Sequence, residues 1–329
     1  MIKEINGFEQ EIMKQVKESL KFIKEIEYKG EKIILYTDMD GTFFDHYTYQ
    51  PTGVEEPAKV FVEKNGILRP VTSKTAAEMI DISDGLKEKN ISINSFIIEG
   101  GAGFYSKKDH YPENHLKKMA RDYEYYYEFD PNSGYEKVFF SKIGIHEIIK
   151  TCFKIVKMAK DKLNLDLFLI SFDEYNFQKQ TGLDDNQLHL AMQRDRSEGI
   201  GFVNPDEAKP ENISGIIELA KSLNKNIVAK MGGRFISVTG GSDKGKAVEF
   251  TKKCDGFGCL NLGIGDSKND EPFLRIVDYS FLVKSANGEH KDLDVGDIHK
   301  LPFIGPESVG FLLKLFNKRF KDYSTNLSQ

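Results

Sequence analysis

Five short apolar runs, each ending in a polar cluster, constrain the fold of this 329-residue chain more than anything else in it. They are 32–37, 66–72, 95–98, 259–264 and 278–283. Helix-like segments at Ala76–Lys89 and Lys244–Lys253 lie between several of them. Short apolar strands alternating with helices predict a parallel sheet covered on both faces. In such sheets the ligand crevice lies at the carboxyl ends of the strands. The polar clusters after Thr37, Val71, Ile98 and Ile264 fall there.

The rest of the chain reads differently. Residues 8–27 place Ile12, Val16, Leu20 and Ile23 at helical spacing, which predicts an amphipathic helix packed on the domain surface. The middle, 109–236, carries an aromatic run (Tyr123–Phe129), a turn at 131–134, strands expected near 166–172, 187–193 and 226–230, and helices expected near 145–163 and 210–223. That pattern predicts an α+β insertion between two halves of one α/β core. Partial burial is the expected fate of the tyrosines, with sugar stacking as the alternative.

Composition narrows the function. With 46 Lys+Arg against 51 Asp+Glu the net charge is −5, which removes the usual electrostatic case for nucleic acid. Three cysteines, an odd number, fit free thiols in a reducing compartment. Glutamates interrupt the N-terminus where a signal peptide needs an apolar core. No stretch approaches a membrane span. A cytoplasmic protein without membrane or nucleic-acid partners is expected.

The chemistry gathers at the strand ends. Asp38 and Asp40, in Asp38-Met39-Asp40-Gly41-Thr42, alternate on extended chain and can enter one crevice. Two close carboxylates need a cation or a shared proton, and magnesium on hard oxygen ligands meets that need beside a phosphorylated substrate. One carboxylate would attack phosphorus while the other handles the leaving-group proton. A calcium loop is excluded, because its twelfth position would be Tyr49. Leu262–Asp270 adds Asp266 and Asp270 after a second strand, and its glycines permit close approach to a ligand. Thr72, Ser73 and Lys74 open a helix and suit an anion, although either hydroxyl could simply cap that helix. Lys244 begins another helix. Gly240, Gly245 and Lys246 follow P-loop spacing, but Ala247 lacks the magnesium-binding hydroxyl.

Taken in order, Asp38-x-Asp40-Gly41-Thr42, Thr72-Ser73-Lys74, Asp243-Lys244-Gly245-Lys246 and Gly265-Asp266-Ser267-x-Asn269-Asp270 resemble the four motifs of haloacid dehalogenase (HAD) superfamily phosphatases. Within that superfamily the chain is most similar to the mannosyl-3-phosphoglycerate phosphatase family. Ser73–Glu78, Ala191–Arg194 followed by Ser197-Glu198, and Gly232–Phe235 carry that finer likeness. The resemblance spans about 32–285. It implies a HAD-like Rossmannoid core at 31–108 and 237–329, an inserted α+β cap of the C2 type at 109–236, and an N-terminal helical extension at 1–30.

It also implies roles. Asp38 would be the nucleophile and Asp40 the general acid/base. Thr72, or else Ser73, would hydrogen-bond the phosphoryl group, with Lys244 supporting its charge. Asp38, the Asp40 backbone carbonyl and Asp266 would hold Mg2+, with Asp270 and Asn269 nearby. Gln193, Arg194 and Arg234 would contact the carboxylate or hydroxyls of a small phosphorylated glycosyl substrate, the planar fork of arginine suiting a carboxylate. Mannosyl-3-phosphoglycerate leads, the product being the compatible solute mannosylglycerate. The glucosyl analogue comes next, then sucrose or trehalose phosphate. A catalytically idle binding protein is the rival from another class. Glu99-Gly100-Gly101-Ala102 departs from the family's Glu-Asn-Gly-Ala, and Asp195-Arg196 from its acid-aromatic pair, so the sugar is the open point.

Overall fold

The structure, a computed structural model, describes residues 2–27, 32–232, 234–256 and 258–324. In chain order the elements are α1 (Ile2–Glu25), β1 (Ile33–Thr37), α2 (Glu55–Glu63), β2 (Ile67–Pro70), α3 (Ala76–Glu88), β3 (Ser95–Ile98), β4 (Gly103–Lys107) and α4 (His115–Asp122). Then follow β5 (Tyr126–Asp130), β6 (Tyr135–Phe139), α5 (Ile145–Leu163), β7 (Leu167–Leu169), α6 (Glu174–Thr181), α7 (Asp185–Met192), β8 (Ser197–Phe202) and α8 (Pro210–Leu223). The last are β9 (Val228–Gly232), β10 (Phe235–Thr239), α9 (Lys244–Asp255), β11 (Leu260–Gly265), α10 (Glu271–Leu274), β12 (Tyr279–Lys284), β13 (Ile298–Ile304) and α11 (Gly305–Ser324). They form two compact units: Met1–Pro70, Leu86–Ile93 and Asp255–Gln329 in one, Val71–Gly85 and Asn94–Cys254 in the other. Among the described residues no helix is long and apolar enough to cross a membrane. None of the three cysteines, all among the described residues, is in a disulfide.

The first unit is built on a five-stranded sheet, β13-β12-β11-β1-β2, whose neighbouring strands all pair in parallel. Every residue of β1 is buried, as a continuous apolar run in a twice-covered parallel sheet requires. The pairing sets Thr37 opposite Ile264, so β1 and β11 end side by side. A buried ion pair lies beside Tyr36 of β1. Arg69 on β2 is fully buried and binds Asp255 twice, Nη1 to Oδ2 at 2.5 Å and Nη2 to Oδ1 at 3.1 Å, with the Tyr36 hydroxyl 3.1 Å from Nη1.

Helix α1 docks on the sheet's β12–β13 edge. Phe22 stacks on His299 at 4.5 Å and meets Tyr279 and Phe281 edge-on, while Ser19 and His299 share a hydrogen bond of 2.9 Å. Arg319 of α11 donates to the carbonyls of Ile23 and Ile26. The expected surface-packed helix is therefore present on the expected face, with Ile12 and Val16 half-buried and Ile23 buried, and only Leu20 departs. Ser19, Ile23 and Ile26 are buried, whereas Leu20 is 39% exposed.

The second unit holds two antiparallel sheets, β3-β4-β6-β5 and β7-β8-β10-β9. Ile148, Cys152 and Ile155 of α5 and Ile216 and Ala220 of α8 pack with Ile200, Ile236 and Val238 into one core. Two expectations are corrected here. Residues 187–193 are not a strand: α7 occupies 185–192, nucleated by a capping box in which Asp184 and Gln187 exchange hydrogen bonds of 2.9 and 3.3 Å. Residues 95–98 do not join the parallel sheet as a fifth apolar run. Glu99, Gly100 and Gly101 have φ of 50, 66 and 96°, and this left-handed stretch reverses the chain into a β3–β4 hairpin. Val71 still bridges Ile97 in parallel. The tyrosine run is partly buried, as expected: Tyr125 packs on Phe140 and Phe250 at 4.9 and 5.6 Å, and Tyr126–Asp130 forms edge strand β5.

Candidate active site

The acidic residues come together because their strands do. Parallel neighbours lie ~4.8 Å apart. Asp38 extends β1 by one residue, its N–H still bonded to the Ile264 carbonyl at 3.0 Å, and Asp266 stands just past β11. Carboxylate oxygens of Asp38, Asp266 and Asp270 lie within 4.8 Å of one another. Asp38 is 6% and Asp270 0% exposed. Three clustered, largely buried carboxylates repel unless a cation joins them, and an all-oxygen set suits a hard divalent ion. The donor set therefore fits a metal.

Each member is held by its loop. Asp270 Oδ2 accepts the backbone N–H of Asp266, the N–H of Ser267 and the Ser267 hydroxyl, each at 3.1 Å, which fastens the turn that presents Asp266. The Asn269 side-chain oxygen accepts from the same hydroxyl at 2.7 Å. After Asp38 the chain turns tightly, with Phe44 N–H on the Met39 carbonyl at 2.8 Å and Gly41 N–H on the Phe44 carbonyl at 2.9 Å. Gly41 has φ +81°, and a side chain there would come 3.1 Å from Asp266 Oδ2. Asp40 lies on this turn, and its carboxylate is not one of the three clustered groups.

The remaining sequence candidates lie in the second unit. Thr72 is buried: its N–H reaches the Ile97 carbonyl at 3.0 Å, and its Oγ1 accepts the Lys74 N–H at 3.1 Å. Neither Thr72 nor Ser73 caps α3. Thr75 does so, exchanging bonds with Glu78 at 2.8 and 3.2 Å. Lys74 Nζ lies 3.5 Å from a carboxylate oxygen of Glu78, one helical turn on. Lys244 is buried at the start of α9, where Asp243 caps the helix through the Lys246 N–H at 3.0 Å. Lys246, the lysine of the P-loop-like spacing, donates to the Gly241 carbonyl of its own loop at 2.6 Å.

Gly100 and Gly101 tie two of these segments together. The Gly100 N–H donates to the Thr72 carbonyl at 2.9 Å, and any side chain on Gly101 would overlap the Asp243 carbonyl and the Lys244 nitrogen. Gln193 follows α7 and is exposed, and Arg194 donates to the Ser197 hydroxyl at 3.3 Å. Arg234 donates to the Gln180 carbonyl at 2.9 Å. Sequence reasoning treated Glu99 only as part of an altered motif. It is fully buried, and its carboxylate accepts the N–H groups of Asp195 and Arg196 at 2.7 and 2.8 Å. Burial pushes its pKa up, opposed by the Arg194 charge and these two N–H groups. The paired glycines after it were the available signal of a sharp reversal.

The fold is that of the HAD hydrolases. A HAD/COF-like hydrolase from Plasmodium vivax superposes with a TM-score of 0.53 at 18% identity, covering 92% of this chain and 99% of that one. The sucrose-phosphatase of Synechocystis sp. PCC6803 does so with 0.52 at 12%, covering 88% and 98%. No family model matches the chain. By sequence it is 29% identical over 287 residues to a glucosyl-3-phosphoglycerate/mannosyl-3-phosphoglycerate phosphatase of Methanococcoides burtonii, covering 84% of this chain and 93% of the relative. A protein of the same name from Persephonella marina is 29% identical over 284 residues, covering 83% and 93%. The mannosyl-3-phosphoglycerate phosphatase of Pyrococcus furiosus is 26% identical over 264, covering 79% and 94%. The resemblance seen in the motifs thus holds over most of the chain, and the enzyme class that goes with it is phosphoric monoester hydrolase.

Proposed function

We propose that this protein is a magnesium-dependent phosphatase of a glycosyl-3-phosphoglycerate, with mannosyl-3-phosphoglycerate as the leading substrate. The observation that carries the reading is the Asp38–Asp266–Asp270 cluster at the joined ends of β1 and β11. The dual name of two relatives favours the glucosyl compound as the second substrate. The first thirty residues are assigned a supporting role, and 109–236 the reading of the glycosyl and glyceryl parts.

Asp38 attacks phosphorus, and the bond from phosphorus to the glyceryl oxygen breaks as an aspartyl-phosphate forms. Asp40 gives its proton to the departing oxygen. The same carboxylate then takes a proton from water, which attacks the phosphorus, releases inorganic phosphate and restores Asp38. Asp38, Asp266 and the Asp40 carbonyl are the groups that would hold the cation. When bound, it neutralises phosphoryl charge. Asp270 orients the loop bearing Asp266. Thr72 is assigned a hydrogen bond to the phosphoryl oxygens, and Lys244 their charge balance. Gln193, Arg194 and Arg234 are assigned to the glycerate carboxylate and sugar hydroxyls, with Ser73, Lys74 and Asn269 as further substrate contacts.

The test is phosphate release, with and without magnesium, from mannosyl- and glucosyl-3-phosphoglycerate beside sucrose, trehalose and hexose phosphates. The reading expects kcat/KM to be highest for a glycosyl-phosphoglycerate. A preference for sucrose or trehalose phosphate would reject that specificity while keeping the chemistry. No turnover of any ester would favour a binding protein.

A further inference from the structure

Glu99 makes demands that a residue serving only as a turn would not. It holds φ +50°, a left-handed conformation that costs a non-glycine residue energy, although glycines follow it directly. Its carboxylate is wholly buried, which also carries a cost, and both oxygens are spent on the backbone of one loop, the N–H groups of Asp195 and Arg196. Its own N–H donates to the Lys74 carbonyl at 2.9 Å. One residue therefore joins 72–74, the segment assigned to the phosphoryl group, to 193–196, the segment assigned to the rest of the substrate.

The surroundings agree with an orienting role. The Arg194 charge offsets that of Glu99, and its Nη1 reaches Ser197 Oγ. Its Nε is buried with no hydrogen-bond partner among the described residues. Asp195 accepts the Tyr105 hydroxyl at 2.6 Å, and the Arg196 guanidinium lies 4.3 Å from the Phe139 ring centroid. Consecutive side chains of the loop thus have separate anchors, while Glu99 holds their shared backbone. Thr75 adds a second tie, its hydroxyl donating to the Leu190 carbonyl at 2.8 Å.

We infer that Glu99 is a positioning residue for substrate specificity: it fixes the 193–196 loop relative to the Thr72–Lys74 segment, so that the non-phosphate part of the substrate is read in register with its phosphate. This rests on the function proposed above. A carboxylate is needed because two parallel N–H donors require two acceptor oxygens. Glutamine would turn an NH2 group toward one of them.

Two variants test it. Glu99→Gly removes the carboxylate and relieves the backbone, and Glu99→Gln keeps the shape with one acceptor. Hydrogen exchange over 190–198 is measured first, without substrate. Faster exchange at Asp195 and Arg196 in Glu99→Gly, with Glu99→Gln intermediate, is expected. Unchanged exchange would overturn the inference whatever the substrate. Kinetics follow on the glycosyl ester with the highest kcat/KM and on p-nitrophenyl phosphate, which offers nothing for the loop to read. The expected result is a rise in KM of about tenfold or more for the glycosyl ester, with the p-nitrophenyl phosphate constants changed far less. Equal losses on both esters would overturn specificity positioning. Wild-type protein that ignores every glycosyl ester would instead reject the functional reading, with the exchange result standing separately.

Discussion

Asp255→Ala probes the buried Arg69–Asp255 ion pair of the parallel-sheet unit. Arg69 has 0% and Asp255 5% side-chain exposure, so a surface ion pair's ~0–1 kcal/mol is the wrong scale. Two charge-assisted bonds of 2.5 and 3.1 Å vanish, and the buried guanidinium loses its carboxylate. Breaking one side of such a pair costs about 3–5 kcal/mol. Unfolding entropy of ~2.1 cal/mol/K per residue makes ~0.7 kcal/mol/K for the chain, so Tm should fall by about 4–7 °C if it unfolds in one transition. Paired replacement, Arg69→Met with Asp255→Leu, should recover most of the loss, because apolar groups of similar volume need no partner. Calorimetry and urea titration give both numbers. A single-variant loss below ~1 kcal/mol, or a double-variant loss equal to the sum of the singles, would refute the reasoning.

Three further outcomes follow. Gly41→Ala places a side chain at φ +81° and 3.1 Å from Asp266 Oδ2, so it should lower stability by about 1–2 kcal/mol and also raise the magnesium concentration needed for half-maximal activity; unchanged metal dependence would contradict the placement of Asp266. Deleting residues 1–27 strips Phe22 from His299 and Ile23 and Ile26 from burial, and should lower Tm measurably; unchanged melting would show that α1 does not support the sheet. Burial lowers the pKa of His299 and of His290, with Glu18 partly opposing at His299. Because the folded state favours the neutral rings, their contribution to stability should be full above the unfolded value near ~6.5 and be lost progressively as pH falls below it. His299→Phe should flatten that acid limb, which urea titrations from pH 7.5 to 5 would register.

The acidic centre was legible because its information is local: a buried run ends in Asp38-x-Asp40, a second ends in Asp266 and Asp270, and parallel pairing brings the ends together. What stayed hidden was carried by distant partners or by absent side chains. Arg69 and Asp255 are 186 residues apart, and nothing near either announces the pair. Strand β8 (Ser197–Phe202) is completely buried yet lacks strand-like composition. Its Gly199 and Gly201 leave room for Ile170 and Phe168 of the neighbouring segment, so shape replaces hydrophobic pattern. Residues 187–193 looked like a strand because Leu188, Leu190 and Met192 alternate, and the capping box at Asp184 overrode that period. Glu99 was read through its motif alone, since its partners Asp195 and Arg196 lie almost a hundred residues later.

The most direct test of the account follows the phosphoryl group itself. Wild-type protein and Asp38→Asn, each shown to be folded by circular dichroism, are mixed with magnesium and mannosyl-3-phosphoglycerate carrying labelled phosphate, then quenched in acid within a turnover. The account predicts label on the wild-type chain, in the peptide containing Asp38, and neither label nor phosphate release with Asp38→Asn. Phosphate release that survives Asp38→Asn, or label recovered on another residue, would contradict it.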